Sequence, residues 1–218
     1  MKKFVLPLVT LTCLCSCHAK PELRKDIKEF IANFSLKASM EAYVSGGYTS
    51  TKVTTEGGTK TTIIVTLEYS IVDEEHPTYV EVTSNYVDDV LTSETTIQFV
   101  EVEGQYYLST NGELKPSSLK ECKKLITKFF YKKTELDGTY HVQGYYYGDY
   151  LKEVAPVLQQ YVTIDQEHEL YVHEYTVVQD GTDYYQKYMV NKLGMLVENH
   201  NTVENDSKKV QQDIYVHN

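Results

Sequence analysis

Tryptophan is absent from this chain, arginine occurs once, at Arg24, and proline only five times in 218 residues. Of four cysteines, Cys13, Cys15 and Cys17 crowd the first seventeen positions and Cys122 stands alone. The body of the chain therefore has no pair for an internal disulfide and must be held by a hydrophobic core, for which ~200 residues are ample. The apolar run from Phe4 to Leu14 is roughly half of the ~20 residues a bilayer-crossing helix needs. No Gly-x-Ser-x-Gly, His-Glu-x-x-His or glycine-rich phosphate loop occurs, which removes the nucleophile-elbow, zincin and P-loop enzymes. Positive charge is scarce too: 21 basic against 31 acidic residues give a formal charge of −10, which argues against nucleic acid and against steering onto anionic surfaces.

What is present begins at the first residue. Met1-Lys2-Lys3, the apolar run to Leu14 and then Cys15-Ser16-Cys17 make a secretory signal over residues 1–16. Leu14 three before Cys17 and Ser16 just before it resemble a bacterial lipobox, which implies a diacylglyceryl anchor on Cys17 and a tether over residues 17–21. Two acyl chains hold a protein at a membrane where one does not. The implied location is the outer face of the bacterial cytoplasmic membrane. Without Lys2 and Lys3 the mature chain carries 19 basic and 31 acidic residues, a formal charge of −12.

Residues 22–218 read as a single α+β domain. Leu23, Ile27, Phe30, Ile31, Phe34 and Ala38 recur at steps of three and four, predicting one amphipathic helix from Glu22 to Tyr43, ended by Ser45-Gly46-Gly47. The period then falls to two. Tyr48–Glu56 and Thr59–Val72 flank Gly57-Gly58 as a hairpin, and Thr78–Val87, Ser93–Val102 and Gln105–Ser109 continue an antiparallel meander. Ser118-Leu119-Lys120-Glu121 is a capping box for a second helix carrying Leu119, Cys122, Leu125, Ile126 and Phe129. Asp137 to Gly148 reads as a mobile tyrosine- and glycine-rich stretch, followed by a helix from Asp149 to Tyr161 that Pro156 must kink. Four more strands, Glu169–Gln179, Asp183–Asn191, Met195–Val203 and Lys208–Val216, close the sequence.

This order, with the lipobox and the Val190-Asn191-Lys192-Leu193-Gly194-Met195-Leu196 hairpin, resembles the lipoprotein-carrier fold of the LolA family and its lipid-anchored LppX and LprG relatives. The resemblance implies a strongly curved, unclosed antiparallel half-barrel of about nine strands, with the N-terminal helix and two middle helices on its concave side, where acyl chains bind. The arginine that helps fix the lid in the soluble carrier has no evident match, Arg24 being the only arginine.

Under that reading Ile63, Val65, Leu67 and Ile71 would line the inner wall of a ligand cavity, and Leu125, Ile126 and Phe129 its lid. Twenty tyrosines suit the wall of a wet cavity, because each combines apolar area with a hydroxyl; Tyr145, Tyr146, Tyr147 and Tyr150 mark the expected portal. The expected role is non-enzymatic binding or transfer of an acyl-bearing lipid or lipoglycan, with no cofactor and no metal. The alternative is a surface-interaction or envelope-sensor lipoprotein with a filled core and a protein partner. His168 and His173, five apart on a strand, fall on opposite faces and cannot share a metal; both are expected at solvated positions. Asp88-Asp89 and Asp73-Glu74-Glu75-His76 lack the ligand spacing of a calcium loop and read as turns. Cys122 reads as a small buried hydrophobe.

Overall fold

The computed structural model describes residues 22–130, 132–136 and 139–218, and of 132–136 and 139–143 the backbone alone. The signal segment, Cys17 and the tether lie outside the described residues, as do Asp137 and Gly138.

The stripe from Leu23 to Ala38 folds as two helices, α1 (Lys25–Ala32) and α2 (Leu36–Ala42), rather than as one. Ser35 explains the break. Its backbone is extended, and its hydroxyl accepts a hydrogen bond from the Ala38 amide at 3.3 Å, so it caps a new helix instead of continuing the old one. The interruption turns Phe34 inward, where it is buried with Ile27 and Ile31.

Strand β1 (Ser45–Glu56) starts three residues earlier than Tyr48, because Ser45-Gly46-Gly47 already pair with Glu68, Tyr69 and Ser70 of β2 (Thr59–Ser70). Gly57 and Gly58 both have positive φ, 59° and 82°, the pair of left-handed residues that a two-residue hairpin turn matched to strand twist requires. The meander runs on through β3 (Thr78–Val87), β4 (Val90–Val102) and β5 (Gln105–Thr110). Asp88 and Asp89 form the same kind of turn without glycine, at φ 47° and 64°. Asp88 Oδ1 accepts from the Lys60 amide at 2.9 Å and Asp89 pairs with Lys60 Nζ at 2.7 Å.

After β6 (Glu113–Pro116) comes α3 (Leu119–Phe130), where Ser118 Oγ accepts from the Glu121 amide as the capping box requires. Within the stretch expected to be mobile, Asp137 to Gly148, lies β8 (Thr139–Gln143), which pairs with the preceding β7 (Lys132–Leu136) as a separate hairpin. α4 (Gly148–Leu158), a 3-10 turn (Gln159–Tyr161) and the short β9 (Val162–Asp165) lead to β10 (Leu170–Gln179), β11 (Thr182–Asn191), β12 (Leu196–Glu204) and β13 (Lys208–His217).

Eleven strands form one antiparallel sheet in the order β6-β5-β4-β3-β2-β1-β13-β12-β11-β10-β9, so it has two edges and is not closed into a barrel. The expected nine become eleven because the short β6 and β9 add one strand at each edge. Each is only four residues long, too short to show an alternating pattern. The seam between the two meanders is the pairing of β1 with β13, in register from Gly47 opposite His217 to Glu56 opposite Lys208.

The helices cover one face of this sheet. Cys122, Ile126, Phe129 and Phe130 of α3 pack on Leu67, Tyr69, Tyr79 and Phe99, while Ile27, Ile31, Leu151 and Ala155 of α1 and α4 pack on Tyr171, Tyr188, Val190 and Leu196. Full burial of side chains of this size contributes roughly 1.5–3 kcal/mol each. Cys122 is completely buried, and burial pushes its thiol up to about 11, so it behaves as an apolar side chain.

Candidate functional site

The helix-covered face divides into a packed half and a half that is not fully packed. Under α3, Leu67, Ile126, Phe129 and Tyr146 belong to one buried cluster, with Ile71, Leu125 and Tyr145 against its margin. The rings of Tyr48, Tyr69, Phe129 and Tyr145 lie within 4.8–6.5 Å of one another in successive contacts. Ile63 and Val65 point from the same face of β2 but lie farther along it, half-buried.

Tyr145 to Tyr147 form a strap rather than a loop. The amides of Tyr145 and Tyr146 donate to the carbonyls of Phe129 and Phe130 at 2.9 Å, and Tyr147 N donates to Gly194 O at 2.7 Å. On the other side Leu196 N donates to Tyr145 O at 2.7 Å. The Tyr146 ring, 1% exposed, lies against both Gly148 and Gly194: a Cβ on the first would overlap the Tyr146 hydroxyl, and one on the second would stand 3.0 Å from the ring. Asn191 fixes the turn that carries Gly194: its Oδ1 accepts from the Leu193 and Met195 amides, and its Nδ2 donates to the Tyr43 hydroxyl at 2.9 Å.

Under α4 the packing is incomplete. A hollow of about 150 Å³ opens between α4, the 3-10 turn and the inner face of β10 and β11. Tyr150, Tyr161, His173, Tyr175, Gln186 and Tyr188 line it, with Val157 and Leu158 from the helix side. Of the residues expected at a portal, Tyr150 reaches this hollow, while Tyr147 packs behind it with its ring 5.6 Å from that of Tyr188. A wider depression of about 500 Å³, open to solvent, lies at the opposite edge of the sheet among Tyr106, Tyr107, Pro116 and Leu119.

His173 is among the residues lining the hollow and is 1% exposed, not at the solvated position expected of it. It stands directly opposite Tyr188 on β11 and Val162 on β9, and alternation along β10 puts it on the same face as Tyr171 and Tyr175. That tyrosine-histidine-tyrosine alternation was the available signal for burial. Neither ring nitrogen of His173 has a hydrogen-bond partner among the described residues, nor do the hydroxyls of Tyr171 and Tyr188 or Oδ1 of Asn199. A buried polar group left in this state costs roughly 1–3 kcal/mol. Burial drives the His173 imidazole down to about 4, which keeps it neutral, and pushes Tyr150 up to about 12 and Tyr188 well above its ordinary value.

Arg24 closes the end of this half. Its guanidinium donates to the carbonyls of Gln159 at 3.1 Å and Val162 at 2.9 Å, tying the start of α1 to the exit of α4. His168, by contrast, is exposed and hydrogen-bonded to Asp165 at 2.9 Å. Among the described residues no three His, Cys, Asp or Glu side chains are placed to hold a metal ion.

No protein-family model matches the chain, and no curated protein matches it. Among solved structures, a domain described as an outer membrane lipoprotein-sorting protein from Vibrio parahaemolyticus is similar at 7% identity over 88% of this chain and 91% of that one, with a TM-score of 0.21. A likeness at that score establishes neither a shared site nor a shared activity.

Proposed function

We propose that this chain is a non-enzymatic lipoprotein, anchored through Cys17 on the outer face of a bacterial membrane, that binds an acyl-bearing molecule between α4 and the inner face of β10 and β11. The observation that carries the reading is the hollow of about 150 Å³ there, walled largely by aromatic side chains of α4, β10 and β11. An apolar group entering it leaves water at ~0.8 kcal/mol per buried methylene. At about 150 Å³ the hollow is smaller than the ~300 Å³ and upward of drug-sized sites, so it suits one chain end and not a whole lipid.

Native mass spectrometry of the Cys17→Ser chain, purified from a lipid-rich host, tests the binding. One co-purified lipid per chain, lost in a Val157→Trp variant that fills the mouth of the hollow, is expected. A clean unliganded mass after challenge with lipid ends the proposal. Metabolic labelling with an alkyne fatty acid, present in the natural chain and absent from Cys17→Ala, tests the anchor separately.

The second reading, a surface-interaction or sensor protein with a filled core, draws on the α3 half. There Cys122, Ile126, Phe129 and Phe130 close down on Leu67 and Tyr69, none of them more than 5% exposed. A protein partner captured by chemical crosslinking to the outer strand surface, together with a ligand-free mass, would select it.

A further inference from the structure

The first described residues are fastened beside the mouth of the hollow. The carbonyl of Glu22 accepts from Gln159 Nε2 at 3.1 Å, the Arg24 amide donates to Gln159 Oε1 at 2.8 Å, and the Arg24 guanidinium holds the carbonyls of Gln159 and Val162. Gln159 directly follows Leu158 and stands two positions before Tyr161, both of which line the hollow. The start of the domain and the mouth of the hollow therefore share one corner. Only five residues lead from Cys17 to Glu22, and five residues reach at most about 18 Å even when fully extended. With Cys17 carrying the anchor, as proposed above, this corner cannot stand farther than that from the lipid surface.

The surface at that corner suits a bilayer. Val157 is 43% and Tyr161 39% exposed, large side chains standing at the rim of the hollow. No Asp, Glu, Lys or Arg is among the lining residues, although the chain has a formal charge of −10, so the acidity that repels an anionic surface is not presented there. Tyrosine suits the membrane interface, with its ring in the apolar margin and its hydroxyl among the head groups. Two side chains make a weak contact by themselves. A short tether raises the effective concentration of the surface to about the millimolar range, at which a weak contact is enough.

We propose that the corner formed by Val157 and Tyr161 at the exit of α4 seats on the lipid surface that holds Cys17, so that the hollow is filled from the bilayer and not from water. An acyl chain end then passes from hydrocarbon to the aromatic wall without exposing its methylenes to solvent. The inference rests on the anchored, acyl-binding reading for its purpose, but the contact is measured independently of both.

The absence of tryptophan from the chain allows a single emitter to report the contact. Tyr161→Trp places it at the mouth, and Val90→Trp is the control, at a 66% exposed position on β4, seven strands away from β10. The mature chain, residues 17–218, is coupled through Cys17 to maleimide-bearing phosphatidylethanolamine in phosphatidylcholine vesicles made with and without brominated acyl chains; Cys122 is fully buried and stays unreacted. Each variant is first shown by thermal melting to be folded. Bromine is expected to quench the Tyr161→Trp emission about twofold and to leave the Val90→Trp emission unchanged. Adding Val157→Asp to the Tyr161→Trp chain is expected to remove most of that quenching. Equal quenching of the two reporters, none at position 161, or quenching unmoved by Val157→Asp overturns the proposal. So does an emission that follows the density of chains on the vesicle and ignores bromine, which would seat a second copy of the chain there instead. Because maleimide supplies the anchor, failure of a cell to acylate Cys17 is read separately by the fatty-acid label. A lipid-free native mass would end the acyl-binding reading and leave the measured contact standing.

Discussion

His173 and Tyr188 face each other across β10 and β11 with ring centroids 4.6 Å apart and planes 22° from parallel, and the imidazole nitrogens and the phenol oxygen are buried without hydrogen-bond partners. Pairing by stacking while leaving the polar atoms unanswered makes this the least satisfied spot among the described residues of the sheet's inner face.

The first prediction concerns acid stability. Burial holds the folded imidazole of His173 near 4 while an unfolded chain takes up a proton near the ordinary 6.5. Between those values the unfolded state binds more protons, so stability rises with pH; the contribution is complete above about 6.5 and is lost as pH falls to about 4, amounting to about 3 kcal/mol. His173→Phe is expected to flatten that dependence. Urea midpoints at about pH 7 and about pH 4.5 check it, and an unchanged difference between the two in the variant refutes it.

His200 should behave in the opposite sense. On the outer face, its Nδ1 lies 2.8 Å from Asp213 and its Nε2 3.1 Å from Glu198. Burial opposes protonation, but the hydrogen bonds to the two carboxylates outweigh it and raise the imidazole above its usual value. Its stabilising effect is therefore full below about 6.5 and disappears as pH climbs through the raised value. His200→Gln is expected to lower the melting temperature at about pH 6 and far less at about pH 9. Equal losses at both would remove the charged imidazole from the account.

Gly194→Ala is expected to destabilise the fold by about 2 kcal/mol, because the residue has φ +87° and its new methyl would press on the rings of Tyr146 and Phe34 at 3.0–3.1 Å. Gly181→Ala is the control: its φ is +71° but a Cβ there meets nothing within 4 Å. It should cost about 1 kcal/mol, backbone strain alone. Equal losses in chemical denaturation would show that contact with Tyr146 is irrelevant.

Arg24→Ala removes the two carbonyl contacts at Gln159 and Val162. A loss of about 1–2 kcal/mol is expected, concentrated locally. Hydrogen exchange should quicken at the amides of residues 159–165 while those of β1 and β2 keep their protection; a uniform change would mean that Arg24 ties down nothing in particular.

Most hairpins are legible because alternation survives wherever a strand exceeds about eight residues, as from Ile63 to Tyr69 in β2, whereas the pairing of β1 with β13 leaves no mark on the local pattern. The helix break was hidden because Phe34 and Ala38 keep the stripe's spacing, and only Ser35, readable as a cap, contradicts it. Strand β6 escaped notice because Asn111-Gly112 is a turn that leaves just four residues to pair, one of them Pro116. Of the expected cavity residues, Leu67, Ile126, Phe129 and Tyr146 share a packed cluster and Tyr150 alone borders the hollow. Facing is set by local period, but whether facing side chains meet or leave a gap depends on helices placed from far along the chain. His173 is the instructive case: the polarity of histidine points to solvent, while Tyr171 and Tyr175, which share its face of the strand, point to burial.

The seam between β1 and β13 joins residues more than 150 positions apart at the middle of the sheet. Each meander can zip from its own local turns, but the line that unites them waits for residues 208–217 to emerge and find residues 47–56. A nascent chain stopped short of Lys208 would therefore hold two half-sheets with raw central borders, open to strand exchange with a neighbour.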